Sequence, residues 1–183
     1  MISTLARVAV VGTSCSGKTT LARTLSTRLG ATHIELDALY WEREWRACPT
    51  EEFRQRVTQA IARDRWVCDG NYRIVRGLVW PRATAIIWLD YSFTRTFTRG
   101  LLRTLRRSAA REVLYSDNQE TLRRAFLSRE SILLWIITSF RVHRREFAAL
   151  ACSEAFPGTT FFRCRRPAET ARFLAELGDS APG

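Results

Sequence analysis

Lysine is almost missing from this chain: Lys18 stands alone among 29 basic residues, the other 28 being arginine. A composition so biased makes arginine richness a weak pointer to nucleic acid, and makes the single lysine informative. No Asn-Lys-x-Asp segment exists, which disfavours a guanine-reading switch. Long apolar runs are missing too. No run is longer than Ile132 to Ile137, far below the roughly 20 residues that a membrane-spanning helix requires. The five cysteines form no Cys-x-x-Cys pair, and only His33 and His143 are available to join them, which argues against a zinc site. Met1 to Ala6 is too short and too polar to act as a signal peptide, so five unpaired thiols point to a reducing, cytoplasmic setting. Internal repeats, low-complexity tracts and linkers are all lacking.

What is present is enough for one folded domain. The chain has 183 residues, 46% of them hydrophobic, with six Trp and ten Phe, which excludes a disordered polymer. Residues 1–178 are expected to form a single domain, with Asp179 to Gly183 as a loose tail. Short β-type runs at Arg7–Val11, Thr32–Asp37, Trp66–Asp69, Ala85–Asp90 and Thr159–Arg163 alternate with helical patterns. Those patterns lie at Lys18–Leu29, Thr50–Asp64, Ser92–Arg107, Gln119–Phe126, Ser131–Ala151 and Pro167–Leu177. The alternation predicts an α/β fold, a five-stranded parallel sheet with helices on both faces. Three runs end in aspartate, at Asp37, Asp69 and Asp90, where the carboxyl ends of parallel strands bind ligands.

The lone lysine sits in Gly12-Thr13-Ser14-Cys15-Ser16-Gly17-Lys18-Thr19, between the first strand and the first helix. Glycine, four residues, glycine, lysine and a hydroxyl residue in that context is the phosphate-binding loop of nucleotide-triphosphate proteins. Loop amides and the helix N-terminus cradle phosphate oxygens, with Thr20 in the first helical turn. Lys18 bridges the β- and γ-phosphates of ATP, and Thr19 offers a hydroxyl to Mg²⁺. Asp69, delivered by an apolar strand, is the second candidate for Mg²⁺.

Asp69-Gly70-Asn71-Tyr72-Arg73 resembles the Asp-Gly-x-x-Arg segment of adenylate-kinase-like P-loop kinases. Leu36 to Trp41 and Trp66 to Tyr72 are similar to the branch labelled DNA topology modulation or adenylate-kinase-related proteins, over residues 7 to 150. The resemblance implies that Asp69 orients hydrated Mg²⁺ and that Arg73 binds an acceptor phosphate, with Gly70 and Asn71 beside the substrate. It also implies that Asp37 contacts the acceptor, as a base for a hydroxyl or as a positioning group for a phosphate. Tyr40 and Trp41 are candidates to stack on a planar acceptor. A helical, arginine-rich lid at about residues 95–145 is implied next, with Arg99 and Arg103, then Arg141 and Arg145, as its catalytic arginines. Asn118 and Glu120 are further candidates there. Arg165 lies where adenine-binding loops occur in such kinases. Only 28 residues separate Asp37 from Trp66, too few for the larger acceptor insertion of adenylate kinases.

Residues 95 to 145 hold twelve arginines against four acids, out of a net charge of +11 for the chain. The leading expectation is an ATP-dependent phosphotransferase acting on a small-molecule or nucleotide acceptor. A nucleic-acid-associated ATP-binding protein and a slow NTPase acting as a regulator are the alternatives.

Overall fold

The computed structural model describes residues 5–110, 132–153 and 155–178. The helical pattern at Gln119–Phe126, the candidates Asn118 and Glu120, the middle of the lid region and the tail from Asp179 lie outside them.

Five strands form one parallel sheet in the order β2-β3-β1-β4-β5. They are β1 (Arg7–Gly12), β2 (Thr32–Glu35), β3 (Trp66–Asp69), β4 (Ala85–Leu89) and β5 (Thr160–Cys164). Seven α-helices are described: α1 (Lys18–Leu29), α2 (Leu36–Tyr40), α3 (Thr50–Ala60), α4 (Arg73–Val79), α5 (Phe93–Ala110), α6 (Ile132–Ala151) and α7 (Pro167–Gly178). Strand residues alternate between two cores, as the period of two in a strand requires. Ala9, Val11, Cys68, Ile86 and Trp88 face a core closed by Phe53 and Val57 of α3, Val75 of α4 and Phe147 of α6. Val8, Val10, Val67 and Ile87 face the other, closed by Leu21 and Leu25 of α1 and Phe173 of α7. Burial on both faces is why these strands read as near-continuous apolar runs.

Helix α1 stops where the sequence says. Gly30 adopts the left-handed conformation, and Ala31 N–H closes onto the Ser26 carbonyl at 2.9 Å. Elsewhere the boundaries shift. The second strand ends at Glu35 rather than Asp37, because Leu36, Ala38 and Leu39 are good helix formers and the chain turns at once into α2. Asp37 therefore rides on a helical turn, not on a strand end. The third helix closes at Ala60, short of Asp64. Helix α4 is missed by periodicity because it is only seven residues long and contains Gly77.

The third strand-end aspartate, Asp90, is a structural anchor. It is buried, accepts from Arg163 of β5 at 2.9 and 2.6 Å, and pairs with Arg144 of α6 at 2.9 Å. Arg163 lies 4.4 Å from the Trp88 ring centroid, which screens the pair from water. This charge cluster ties α6 to the sheet.

Candidate functional site

The loop between β1 and α1 curls tightly. Gly12 has φ of 148°, and a Cβ there would sit 2.7 Å from the Leu89 carbonyl oxygen, so only glycine fits. Cys15 and Gly17 also have positive φ, which turns the loop back on itself at the start of α1. Thr13 and Ser16 are buried, Ser14 and Cys15 partly so, and Thr19 and Thr20 occupy the first turn of the helix. The buried Ser16 hydroxyl has no hydrogen-bond partner. Curled backbone at a helix N-terminus, with an unpartnered hydroxyl inside it, fits a phosphate.

Asn71 fixes this loop from the end of β3. Its Oδ1 accepts from the Gly12 N–H at 3.2 Å, and its Nδ2 donates to the Gly12 carbonyl. Expected beside the substrate, Asn71 instead has both ends of its amide engaged in holding the phosphate loop. Gly70 is likewise covered by Leu36, whose Cβ lies 2.7 Å from where a Gly70 Cβ would stand.

Lys18 donates to the Thr13 carbonyl at 3.2 Å. Burial pulls its ammonium below the ordinary range, while the carboxylates of Asp37 and Asp69 pull it back up. The three charges named from sequence thus converge. Asp69, 3% exposed, bonds through Oδ1 to His33 Nε2 at 3.2 Å. Asp37 Oδ1 accepts the Tyr72 hydroxyl at 2.7 Å. Neither His33 nor Tyr72 was legible as a partner; each contact joins residues more than thirty positions apart. One signal existed for His33, which shares a face of β2 with Glu35, the register partner of Asp69.

Tyr40 stands edge-on to Phe53 at 5.0 Å and tilted against Tyr72 at 4.6 Å, so its ring belongs to the rim of the core. Trp41 packs edge-on against Tyr40 and Trp45. Both rings are half-buried. Among the described residues, Glu42, Cys48 and Glu52 form the one acid-rich cluster compact enough for a metal, but Arg56 bonds both of its carboxylates.

Of the lid arginines, α5 brings two to the loop. Arg99 Nη1 donates to the Ser16 carbonyl at 3.4 Å and crosses above Gly17. Arg103 is close enough to depress the Lys18 pKa, and its Nε is buried without a partner. On α6 the inward residues are Ile136, Phe140, His143 and Phe147, at helical spacing. Arg141 and Arg145 fall on the outer side and are exposed, so the described structure does not bring them to the loop. Arg165 borders an open depression of about 520 Å³ lined also by Ser92, Arg95, Arg166, Pro167 and Ala168. Arg73 pairs with Glu146 of α6 rather than pointing alone toward an acceptor.

Comparison with solved structures agrees with the fold. A shikimate kinase from Bacteroides thetaiotaomicron superposes with a TM-score of 0.58 at 15% identity, covering 95% of this chain and 97% of that one. A shikimate kinase from Acinetobacter baumannii, in complex with shikimate, gives 0.53 at 17%, covering 98% and 97%. A gluconokinase from Sinorhizobium meliloti gives 0.50 at 15%, covering 97% and 98%. At these identities the likeness shows the fold alone, a five-stranded parallel sheet flanked by helices that this chain shares with those kinases. No family model and no curated protein matches the sequence.

Proposed function

We propose that this protein is an ATP-dependent kinase that phosphorylates a hydroxyl of a small molecule. The observation that carries the reading is the convergence on Lys18. A curled phosphate loop, two carboxylates from α2 and β3, and two arginines from α5 meet at one end of the sheet. A nucleotide-binding protein without transfer chemistry needs only the loop.

In this reading Lys18 and the loop amides hold the ATP phosphates, with the depression beside Arg165 on the nucleotide side. Thr19 and Asp69 would hold Mg²⁺, and His33 fixes the Asp69 carboxylate. When bound, Mg²⁺ neutralises charge on the phosphates and on the group in transfer. Arg99 and Arg103 cover the loop, excluding water and stabilising charge on the transferred group. Asp37 takes the proton of the acceptor hydroxyl, and the Tyr72 hydroxyl keeps its carboxylate oriented. The resemblance of Asp69 to Arg73 to adenylate-kinase-related proteins supports a second acceptor class, a nucleoside monophosphate. There Asp37 positions the acceptor and takes no proton.

Asp37→Asn separates the two. With a hydroxyl acceptor, kcat for acceptor-stimulated ADP release falls by about 10²-fold or more while ATP affinity stays near that of the wild type. A variant that keeps wild-type kcat removes the base from the mechanism.

A further inference from the structure

The acceptor side of the site is bordered by α4, which begins immediately after Tyr72, the residue bonded to Asp37. Its two arginines are both engaged. Glu146 Oε1, from α6, accepts from Arg73 Nε at 2.8 Å and Nη2 at 2.7 Å, and from Arg76 Nη1 at 2.7 Å. The arrangement is enclosed at Arg76 and Glu146 and open at Arg73, whose side chain is 69% exposed. The Arg76 and Glu146 side chains are 14% and 16% exposed, and the Arg76 guanidinium lies 5.0 Å from the Trp80 ring centroid and 5.6 Å from that of Phe147. Burial pushes the Glu146 carboxyl up, yet the hydrogen bonds from Arg76 and Arg73 outweigh it and hold the group below the usual carboxylate range. The cluster also lies within electrostatic reach of the phosphate loop: His143, one turn before Glu146, feels both Lys18 and these two arginines.

Other arginines on this flank are engaged as well. Arg46 pairs with Glu42, Arg56 with Glu42 and Glu52, and Arg54 donates to the Ile74 carbonyl. Among the described residues, the carboxylates Asp37 and Asp69 then stand at the acceptor end, facing Lys18 and the α5 arginines on the loop side. An acceptor bearing a phosphate or carboxylate would meet those charges with no uncommitted α4 arginine to offset them. The ion pair is also imperfect, since Glu146 Oε2 and Arg76 Nη2 are buried without partners. A pairing optimised only for stability would not leave such groups unsatisfied.

We infer that Glu146 is a specificity determinant: it occupies Arg73 and Arg76 in place of an acceptor anion, so the acceptor is an uncharged hydroxyl compound. This rests on the kinase reading above and narrows its acceptor class.

The test fills the phosphate loop with a non-hydrolysable ATP analogue and Mg²⁺, then titrates matched pairs, adenosine against AMP and D-glucose against D-gluconate. The wild type is expected to bind the uncharged member of a pair at least tenfold more tightly. Glu146→Gln, which frees both arginines, is expected to gain at least tenfold affinity for AMP or D-gluconate. Adding Arg73→Gln to that variant should reverse the gain. A wild-type preference for the anionic members, or no preference within either pair, overturns the inference. So does a folded Glu146→Gln that binds anions no better than the wild type. Should Glu146→Gln fail to fold, the wild-type preference decides. The analogue titration is the separate control: if the analogue does not bind, the kinase reading fails, whereas analogue binding without charge preference removes only the inference about Glu146.

Discussion

Lys18 has no understudy. It is the only lysine in the chain, its ammonium is desolvated, and its neighbours include both carboxylates of the site. Lys18→Ala should weaken ATP binding by at least tenfold and abolish turnover while leaving thermal unfolding near that of the wild type, measured by calorimetric titration and melting. Lys18→Arg should not rescue turnover, because a planar guanidinium does not replace a compact ammonium at the mouth of a curled loop. Wild-type turnover in either variant contradicts the assignment. At this scale the sequence was readable where the chemistry is local. Eight consecutive residues, Gly12 to Thr19, carry the whole curled turn between β1 and the start of α1. The contacts Tyr72–Asp37, His33–Asp69 and Arg73–Glu146 span 35, 36 and 73 positions, and no local pattern encodes them. The same holds for Asp90, whose place at a strand end resembles that of a ligand-binding acid until Arg144 and Arg163 are seen closing on it.

Helix α6 is held by two charge clusters, Asp90–Arg144 to the sheet and Glu146–Arg73–Arg76 to α4. Removing the buried Asp90 carboxylate leaves Arg163 and Arg144 without their shared acceptor. Asp90→Ala should cost about 3 kcal/mol, lowering Tm by roughly 10 °C. An unchanged Tm would mean that the Asp90 pairs contribute nothing to anchoring α6. On the same helix His143 is stacked on Phe147 and edge-on to Trp135. Burial lowers its pKa, opposed by Glu146 and reinforced by Lys18, Arg76 and Arg73. The unfolded chain therefore takes up this proton more readily than the folded one. Stability from this residue is complete above the unfolded value of about 6.5 and is lost as pH falls through it toward the lower folded value. His143→Gln should flatten the dependence of Tm on pH between about 7 and 5. Equal slopes in the two proteins would show that His143 titrates alike folded and unfolded.

Across the whole molecule, alternation of apolar strands and amphipathic helices was enough to read a doubly wound parallel sheet, because burial on both faces writes itself into every strand. The outward turn of Arg141 and Arg145 was not readable from charge alone. It follows from which side of α6 carries Ile136, Phe140 and Phe147, and that side is decided by tertiary packing. Phosphoryl transfer is the claim on which the site's parts converge, and tracing the γ-phosphate of ATP tests it most directly. The protein is incubated with Mg²⁺, γ-labelled ATP and a panel of uncharged hydroxyl compounds, and the products are separated. The account predicts label in an organic phosphate ester, dependent on Lys18 and reduced about 10²-fold or more by Asp37→Asn. Label recovered solely as inorganic phosphate, at a rate no acceptor changes, would contradict it.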